Sequence, residues 1–506
     1  MLNSAQLFNP KLTPATLTHY LDPKWIPAKH LAYISAKVAA GIKRGGARII
    51  VSVPPRHGKS RMLSIGTTVW TLEEFPEYFV GICSYGRDLS TDFSGAVRDQ
   101  IEQNPEKLDV RLRQGSNRID RFLTNRNGGV FAVGLGGPLT GRGFHVFLLD
   151  DYIKQLKEAL SQTYKTYAWE WFRTTAMTRL EPGASVVIVA TRWVEDDIIG
   201  MILKEDPESW DYVRIPAIAE EGDVLGRVPG EPLFPERYPI AELERIKKLL
   251  GSRWFGAIYQ QDPSDDESKI TRKEWLRYAD HLPSRNVLRW GRFWDLAGTQ
   301  GGGDYTCGLL AGGSKLAGRL FLADMQRVQY SPENTEKLVL QTAEKDGKDV
   351  PIYIEEDPGA AGKIVISNYK KLLKGYQVTA IPTMVNKVVK AQGVAAGAER
   401  GDLVLQKAGW NKDFEDEWDS FGPDAAHDDQ IDVVSDAWNT IIGKHALSAT
   451  WGSKDLEPQV GADGEASVAI RGEAPAPTTG ATWGRRDSGL LVPKASMRVR
   501  RTNYHE

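Results

Sequence analysis

Cysteine is almost missing from this chain: among 506 residues only Cys83 and Cys307 occur. Two thiols so far apart, without metal-ligand spacing, argue against a disulfide framework and against zinc sites. Long apolar runs are missing too, and none approaches the roughly 18 residues that a membrane-crossing helix needs. Nor does one sign of charge prevail. With 64 lysines and arginines against 66 aspartates and glutamates the formal net charge is −2, so any DNA contact must come from local basic patches. The opening Met-Leu-Asn-Ser-Ala-Gln lacks a basic stretch leading into an apolar core, which gives the expectation of a cytoplasmic protein without a secretory signal. The length exceeds what one hydrophobic core supports and predicts two domains plus linkers or a tail.

What is present centres on residues 48–60, Arg-Ile-Ile-Val-Ser-Val-Pro-Pro-Arg-His-Gly-Lys-Ser. The apolar, mostly β-branched residues 49–53 read as a buried strand, Pro54 and Pro55 end it, and Met62, Leu63 and Ile65 start a helix face. Strand, tight loop and helix cradle nucleotide phosphates because loop N–H groups and the helix N-terminus point at the anion. In this loop Arg56, His57, Gly58, Lys59 and Ser60 are the ATP-binding candidates, with Lys59 on the phosphates and Ser60 on Mg²⁺. Val53 stands where a standard phosphate loop has glycine.

Three further apolar runs, 78–83, 144–149 and 185–190, predict a parallel sheet whose ligands bind at the strands' C-terminal ends. The run 144–149 leads into Asp150 and Asp151, one acid for the Mg²⁺ shell and the next to orient the attacking water. The run 185–190 leads into Thr191, a small polar residue placed to sense the γ-phosphate. Arg56, inside the loop, and Arg142, on a glycine-rich approach to the third strand, are both arginine-finger candidates. Ahead of the loop, Trp25, Pro27 and His30 are placed to line an adenine pocket.

Residues 200–265 are charged and proline-rich and end in a helix predicted over 240–260, with an exposed linker at 265–269. A second strand series follows. The run 287–294 delivers Asp295, the run 351–354 delivers Glu355, and a late helix begins beside Asp428 and Asp429. Glu355 is preferred to Glu356 because it directly follows the strand. Acids in that order form an RNase H-like layout. Carboxylates some 4 Å apart repel by about 4 kcal/mol at an effective dielectric near 20, so the cluster calls for two Mg²⁺ or Mn²⁺ ions that activate water on a phosphodiester. Asp429 and Asp432 also suit the first turn of a helix through its dipole. Lys387 and Lys390 are candidates for contact with DNA phosphates. From about 448 the chain loses periodicity, fills with Gly, Ala, Pro, Ser and Thr and should be disordered, ending in a basic arm with Arg485, Arg486, Lys494, Arg498, Arg500 and Arg501.

Pro-Pro-Arg-His-Gly-Lys-Ser, Leu-Leu-Asp-Asp, Ala-Thr-Arg-Trp, Trp-Asp-Leu-Ala, Ile-Glu-Glu-Asp-Pro-Gly and His-Asp-Asp-Gln-Ile-Asp, in that order, make the chain similar to the large terminase subunit of tailed bacteriophages over roughly residues 20–445. The resemblance implies an α/β protein: a P-loop ATPase core at 1–199, a lid or linker subdomain at 200–265, an RNase H-like nuclease domain at 266–447 and a tail at 448–506. It implies Lys59 and Ser60 in the phosphate loop, Asp150 as the Mg²⁺ acid, Asp151 as the catalytic carboxylate and Thr191 in the coupling motif. It further implies nuclease metal ligands at Asp295, Glu355, and Asp428 or Asp429. The partners implied are double-stranded DNA, a small terminase subunit, the portal protein of the procapsid and further copies of the chain in a ring, a pentamer. The place implied is the host cytoplasm during virion assembly, not the mature virion. The nearest rival, a helicase-nuclease, needs a second RecA-like domain, for which residues 200–280 are too short.

Overall fold

The computed structural model describes residues 9–115, 118–139, 141, 143–263, 270–297, 303–383, 386–422 and 427–443, together with the backbone of 483–485 and 491–493. Two seven-stranded sheets organise residues up to 445. The first runs in the order β3 (Arg121–Leu123), β4 (Gly129–Gly134), β2 (Phe79–Ser84), β5 (Phe144–Asp150), β6 (Leu180–Ala190), β1 (Arg48–Ser52), β7 (Asp211–Arg214). All neighbours are parallel except β3 on β4. Each of the four predicted strands is present, and their near-continuous apolar character follows from burial on both faces, as in β1, where Ile50 and Val51 have no exposed surface. The β3–β4 pair and β7 extend the sheet at its two edges.

Register fixes the working edge. Val51 of β1 lies beside Val189 of β6, and Val189 beside Asp150 of β5. The segments leaving these strands therefore emerge side by side. The helix after the phosphate loop opens with a π-helical turn, Arg61–Gly66, and becomes α-helical over Thr67–Glu74. The helix predicted over 240–260 is two helices, Ile240–Leu250 and Ser252–Ile258. Gly251 separates them at φ +79, a backbone angle that side-chain-bearing residues rarely adopt.

The second sheet runs β13 (Val378–Pro382), β12 (Ile352–Glu356), β9 (Arg289–Asp295), β10 (Thr306–Ser314), β11 (Arg319–Val328), β14 (Leu403–Gln406), β8 (Arg277–Ala279). β9, β10 and β11 form an antiparallel meander, and the flanking pairs are parallel. The helix Asp429–Ala437 crosses β9 and β10. Among the described residues no helix is long and apolar enough to cross a membrane. Beyond 445, Trp483–Arg485 pairs antiparallel with Leu491–Pro493; the rest of the expected tail lies outside the described residues, as do the expected linker 265–269 and Arg142.

Candidate active sites

Two groups of acids stand at the C-terminal ends of parallel strands, one in each sheet. In the first, the loop after β1 turns through Arg56 at φ +62 and Gly58 at φ +82. Val53 is fully buried in the core, and its carbonyl accepts the Thr191 hydroxyl at 3.4 Å. Lys59 is 5 % exposed, and its ammonium donates to Asp151 Oδ1 at 2.7 Å and to Thr191 Oγ1 at 2.5 Å. Asp151 Oδ1 also accepts the Thr191 N–H at 3.3 Å. Asp151 sits at φ +45, a strained angle for a non-glycine residue that the neighbouring strands hold in place.

Asp150 is fully buried. Its Oδ2 accepts the Ser64 hydroxyl at 2.5 Å, while Oδ1 has no hydrogen-bond partner among the described residues. Burial first, and then the Asp151 charge, push its carboxyl up to about 7, against the pull of Lys59, Ser64 and Ser60. An orphaned buried carboxylate oxygen next to a hydroxyl-bearing phosphate loop suits a hard, oxygen-loving divalent cation.

His57 turns away from this edge. Its ring stacks on Tyr238 with centroids 4.8 Å apart, its Nδ1 lies 2.8 Å from the Pro55 carbonyl, and burial lowers its pKa to about 3. His30, expected beside an adenine base, is fully buried behind the loop, with Nε2 2.8 Å from the His57 carbonyl and an edge-on contact to Phe234. Both imidazoles are neutral at pH 7 and join the loop to the 200–265 segment. After Thr191, Arg192 is buried, bonded through Nε to Asp197 at 2.9 Å and through its N–H to Gln261 at 3.0 Å.

In the second group, Ile354 of β12 is in register with Trp294 of β9, which sets Glu355 next to Asp295. Among the described residues no hydrogen bond or ion pair satisfies the Asp295 carboxylate; burial first, and then Glu355, Asp432 and Asp429, raise its pKa well above the carboxylate range. Glu355 accepts the Thr383 hydroxyl at 2.5 Å on Oε1 and the Lys390 ammonium at 2.9 Å on Oε2. Asp429 Oδ2 accepts the Tyr305 N–H at 3.2 Å. Asp428 Oδ1 accepts the exposed Lys387 at 2.5 Å.

Asp432, read from the sequence as a first-turn acid, and Asp436, not singled out there, belong to the same group. Lys390 reaches Asp436 at 3.1 Å and Asp432 at 3.4 Å, and Lys387 reaches Asp432 at 3.1 Å. The signal was available: Asp429, Asp432 and Asp436 are spaced three and four apart and share one helix face. Burial leads in raising the Asp436 carboxyl to about 7, with Lys390 opposing it. For Lys390, burial favours the neutral amine, but Asp436, Asp432 and Glu355 together outweigh it and keep the ammonium charged. Instead of reaching outward for DNA, as expected from sequence, Lys390 is 10 % exposed in its side chain and paired inward. Among the described residues no three His, Cys, Asp or Glu side chains close into a ready-made metal cage; the acids gather around ammonium groups. Oxygen-only donors with Asp295 unsatisfied fit a hard divalent cation such as Mg²⁺ or Mn²⁺.

Comparisons with known proteins bear on both sites. No curated protein matches the chain by sequence. Residues 50–275 match the family model of the terminase large subunit, T4likevirus-type, N-terminal, and residues 292–440 match that of the terminase RNaseH-like domain. Among solved structures, the large terminase of a thermophilic bacteriophage in complex with ATP-γ-S is 12 % identical, covering 80 % of this chain and 96 % of its own, with a TM-score of 0.43. The HK97 bacteriophage large terminase is also 12 % identical, over 71 % of this chain and 82 % of its own, at a TM-score of 0.31. The large terminase nuclease from thermophilic phage G20c with bound zinc is 16 % identical over 34 % of this chain and 98 % of its own, at 0.27. With its N-terminal model over the P-loop sheet and its RNase H-like model over the second acid site, the chain belongs to the large terminase subunit family of bacteriophages.

Proposed function

We propose that this chain drives double-stranded DNA into a procapsid by ATP hydrolysis and cuts concatemeric DNA with a divalent-metal-dependent endonuclease site. What carries the reading is the presence of two separate acid sites in one chain, each at the C-terminal edge of its own sheet. In the first, Lys59 in the phosphate loop would reach the phosphates, and Ser60 of the same loop would hold Mg²⁺ together with Asp150. Asp151 orients the attacking water, and Thr191, bonded to both Lys59 and Asp151, relays the state of the γ-phosphate to β6. Arg56 lies in the loop, and Arg142 remains the alternative finger. In the second, Asp295, Glu355 and Asp429, with Asp428 at the helix start, would hold a divalent cation, which would activate water for attack on the phosphodiester. Divalent cations supply Lewis acidity and a more acidic water at both sites.

The domains of this reading are an ATPase core at 1–199, a lid at 200–265 that adds β7 to the first sheet, a nuclease domain at 266–447 and a tail at 448–506. The assembly implied is a ring of this chain on the portal, with a small terminase subunit, in the host cytoplasm. The test separates the halves. Lys59→Ala should lower ATP turnover by at least about 100-fold, as expected for removing a charge contact to the transition state, and leave plasmid cutting intact. Asp295→Ala should abolish Mn²⁺-dependent plasmid degradation, with an EDTA control, and leave ATP turnover intact. ATP hydrolysis unchanged in the first variant, or both activities lost together in the second, would overturn the reading.

A further inference from the structure

The ATPase reading above leaves two fully buried histidines, His30 and His57, without a role. A phosphate loop grips its anion by turning backbone N–H groups toward it, so its carbonyls must find donors elsewhere. In this loop Val53 replaces the usual glycine, and Pro54 and Pro55 follow it. The chain then winds through the left-handed region on both sides of His57, at Arg56 with φ +62 and at Gly58 with φ +82. For Arg56 that angle is strained, and it persists only where the surroundings hold it.

Side-chain donors hold the carbonyls. The Thr191 hydroxyl donates to the Val53 carbonyl at 3.4 Å, His57 Nδ1 faces the Pro55 carbonyl at 2.8 Å, and His30 Nε2 faces the His57 carbonyl at 2.8 Å. A carbonyl oxygen only accepts, so each ring nitrogen beside one carries the hydrogen. Each neutral ring therefore gives its single N–H to the loop backbone. The opposite nitrogens, His30 Nδ1 and His57 Nε2, are buried with no hydrogen-bond partner among the described residues, so no second bond competes for either ring. The rings are also enclosed. His57 stacks on Tyr238 with centroids 4.8 Å apart, Phe234 meets His30 edge-on at 5.7 Å, and a Cβ added at Gly58 would lie 3.0 Å from Leu31, the neighbour of His30. We propose, resting on the ATPase reading, that His30 and His57 are positioning residues of the ATPase site: their two N–H bonds tie the loop carbonyls inward and keep the loop wound for phosphate before nucleotide arrives. Neither ring touches the reacting atoms. Both act through the backbone that carries Gly58, Lys59 and Ser60.

Amide and leucine substitutions separate the hydrogen bond from the bulk of the ring. His30→Gln keeps a donor near the place of Nε2 and His57→Asn one near the place of Nδ1, whereas His30→Leu and His57→Leu keep an apolar side chain and lose the donor. ATP turnover with Mg²⁺ and ADP binding by calorimetry are measured on the full-length chain. A loosened loop spends less time in the competent form, and the apparent affinity falls by that fraction. Each leucine variant should therefore raise the KM for ATP and the Kd for ADP about tenfold or more, with kcat changed less than about threefold. The amide variants should recover all but about threefold of the loss. A merely structural role would lower kcat with the folded fraction and leave KM as it is, so unchanged KM and Kd in folded leucine variants overturn the proposal. Where a leucine variant fails to fold, the amides decide: with plasmid cutting intact, a rise of about tenfold in His30→Gln or His57→Asn overturns it, and recovery upholds it. A native chain that neither binds ADP nor turns over ATP overturns the ATPase reading itself, and the proposal with it.

Discussion

Asp150 and Asp151 are adjacent in sequence and differ in what surrounds them. Asp150 ends a strand inside the sheet, where burial raises its carboxyl to about 7, and Asp151 turns out of the sheet at φ +45 to meet Lys59. A carboxyl whose folded pKa lies above its unfolded value of about 3.9 binds its proton more tightly in the native state. Its burial therefore costs nothing below about pH 4, and the cost grows as pH rises and is complete above about pH 7. Asp150→Asn should accordingly stabilise the metal-free protein at pH 8, by on the order of 2 to 4 kcal/mol, and give almost no gain at pH 4. Thermal midpoints at the two pH values check this; an equal gain at both would place the effect in packing, not in charge. The same substitution should abolish ATP turnover, a stability-for-function exchange expected where a site holds an unsatisfied buried acid.

At the scale of elements, the second acid site depends on how closely the helix Lys387–Glu399 lies on Trp438. A methyl group at position 397 has nowhere to go except into the indole. Gly397→Ala should cost about 1 to 3 kcal/mol of stability through overpacking, offset only slightly by better helix propensity. It should also weaken DNA cutting while ATP turnover is kept, because Lys390 and Asp432 are carried by the two elements that would be pushed apart. Urea denaturation and the two activities, measured on the same preparation, check it. Loss of ATP turnover along with cutting would show that the packing change spreads beyond the second sheet.

Across the whole molecule, the helix that carries Lys390 also touches the 200–265 segment. Glu399, at its last position, accepts the Ser252 N–H at 2.9 Å and the Ser252 hydroxyl, and Arg400 donates to the Lys248 carbonyl at 2.6 Å. Since His57 stacks on Tyr238, that segment is in contact with the phosphate loop as well. Glu399→Ala removes two hydrogen bonds at the start of the helix Ser252–Ile258, worth about 1 to 2 kcal/mol, and should raise amide exchange there roughly five- to thirtyfold. Exchange mass spectrometry over 252–258 reads the outcome, and unchanged protection would mean that packing alone holds the helix.

By itself the sequence determined the order of the elements and where the chemistry begins, because a buried parallel strand needs an unbroken apolar run and a polar residue just after it must stand at the sheet's C-terminal edge. Asp150, Asp151, Thr191, Asp295 and Glu355 could be picked out on that ground, and Lys59 by the Gly-Lys-Ser between the first strand and its helix. Only the tertiary structure decided what each side chain meets. His57 faces Tyr238, a residue from a distant segment; Lys390 enters the acid group because two glycines let its helix approach Trp438; and Asp432 is part of that group although its position also suits an ordinary helix cap. Spacing along the chain shows which residues share a face, but the sign and number of charges opposite that face depend on contacts between segments tens to hundreds of residues apart, which no local pattern encodes.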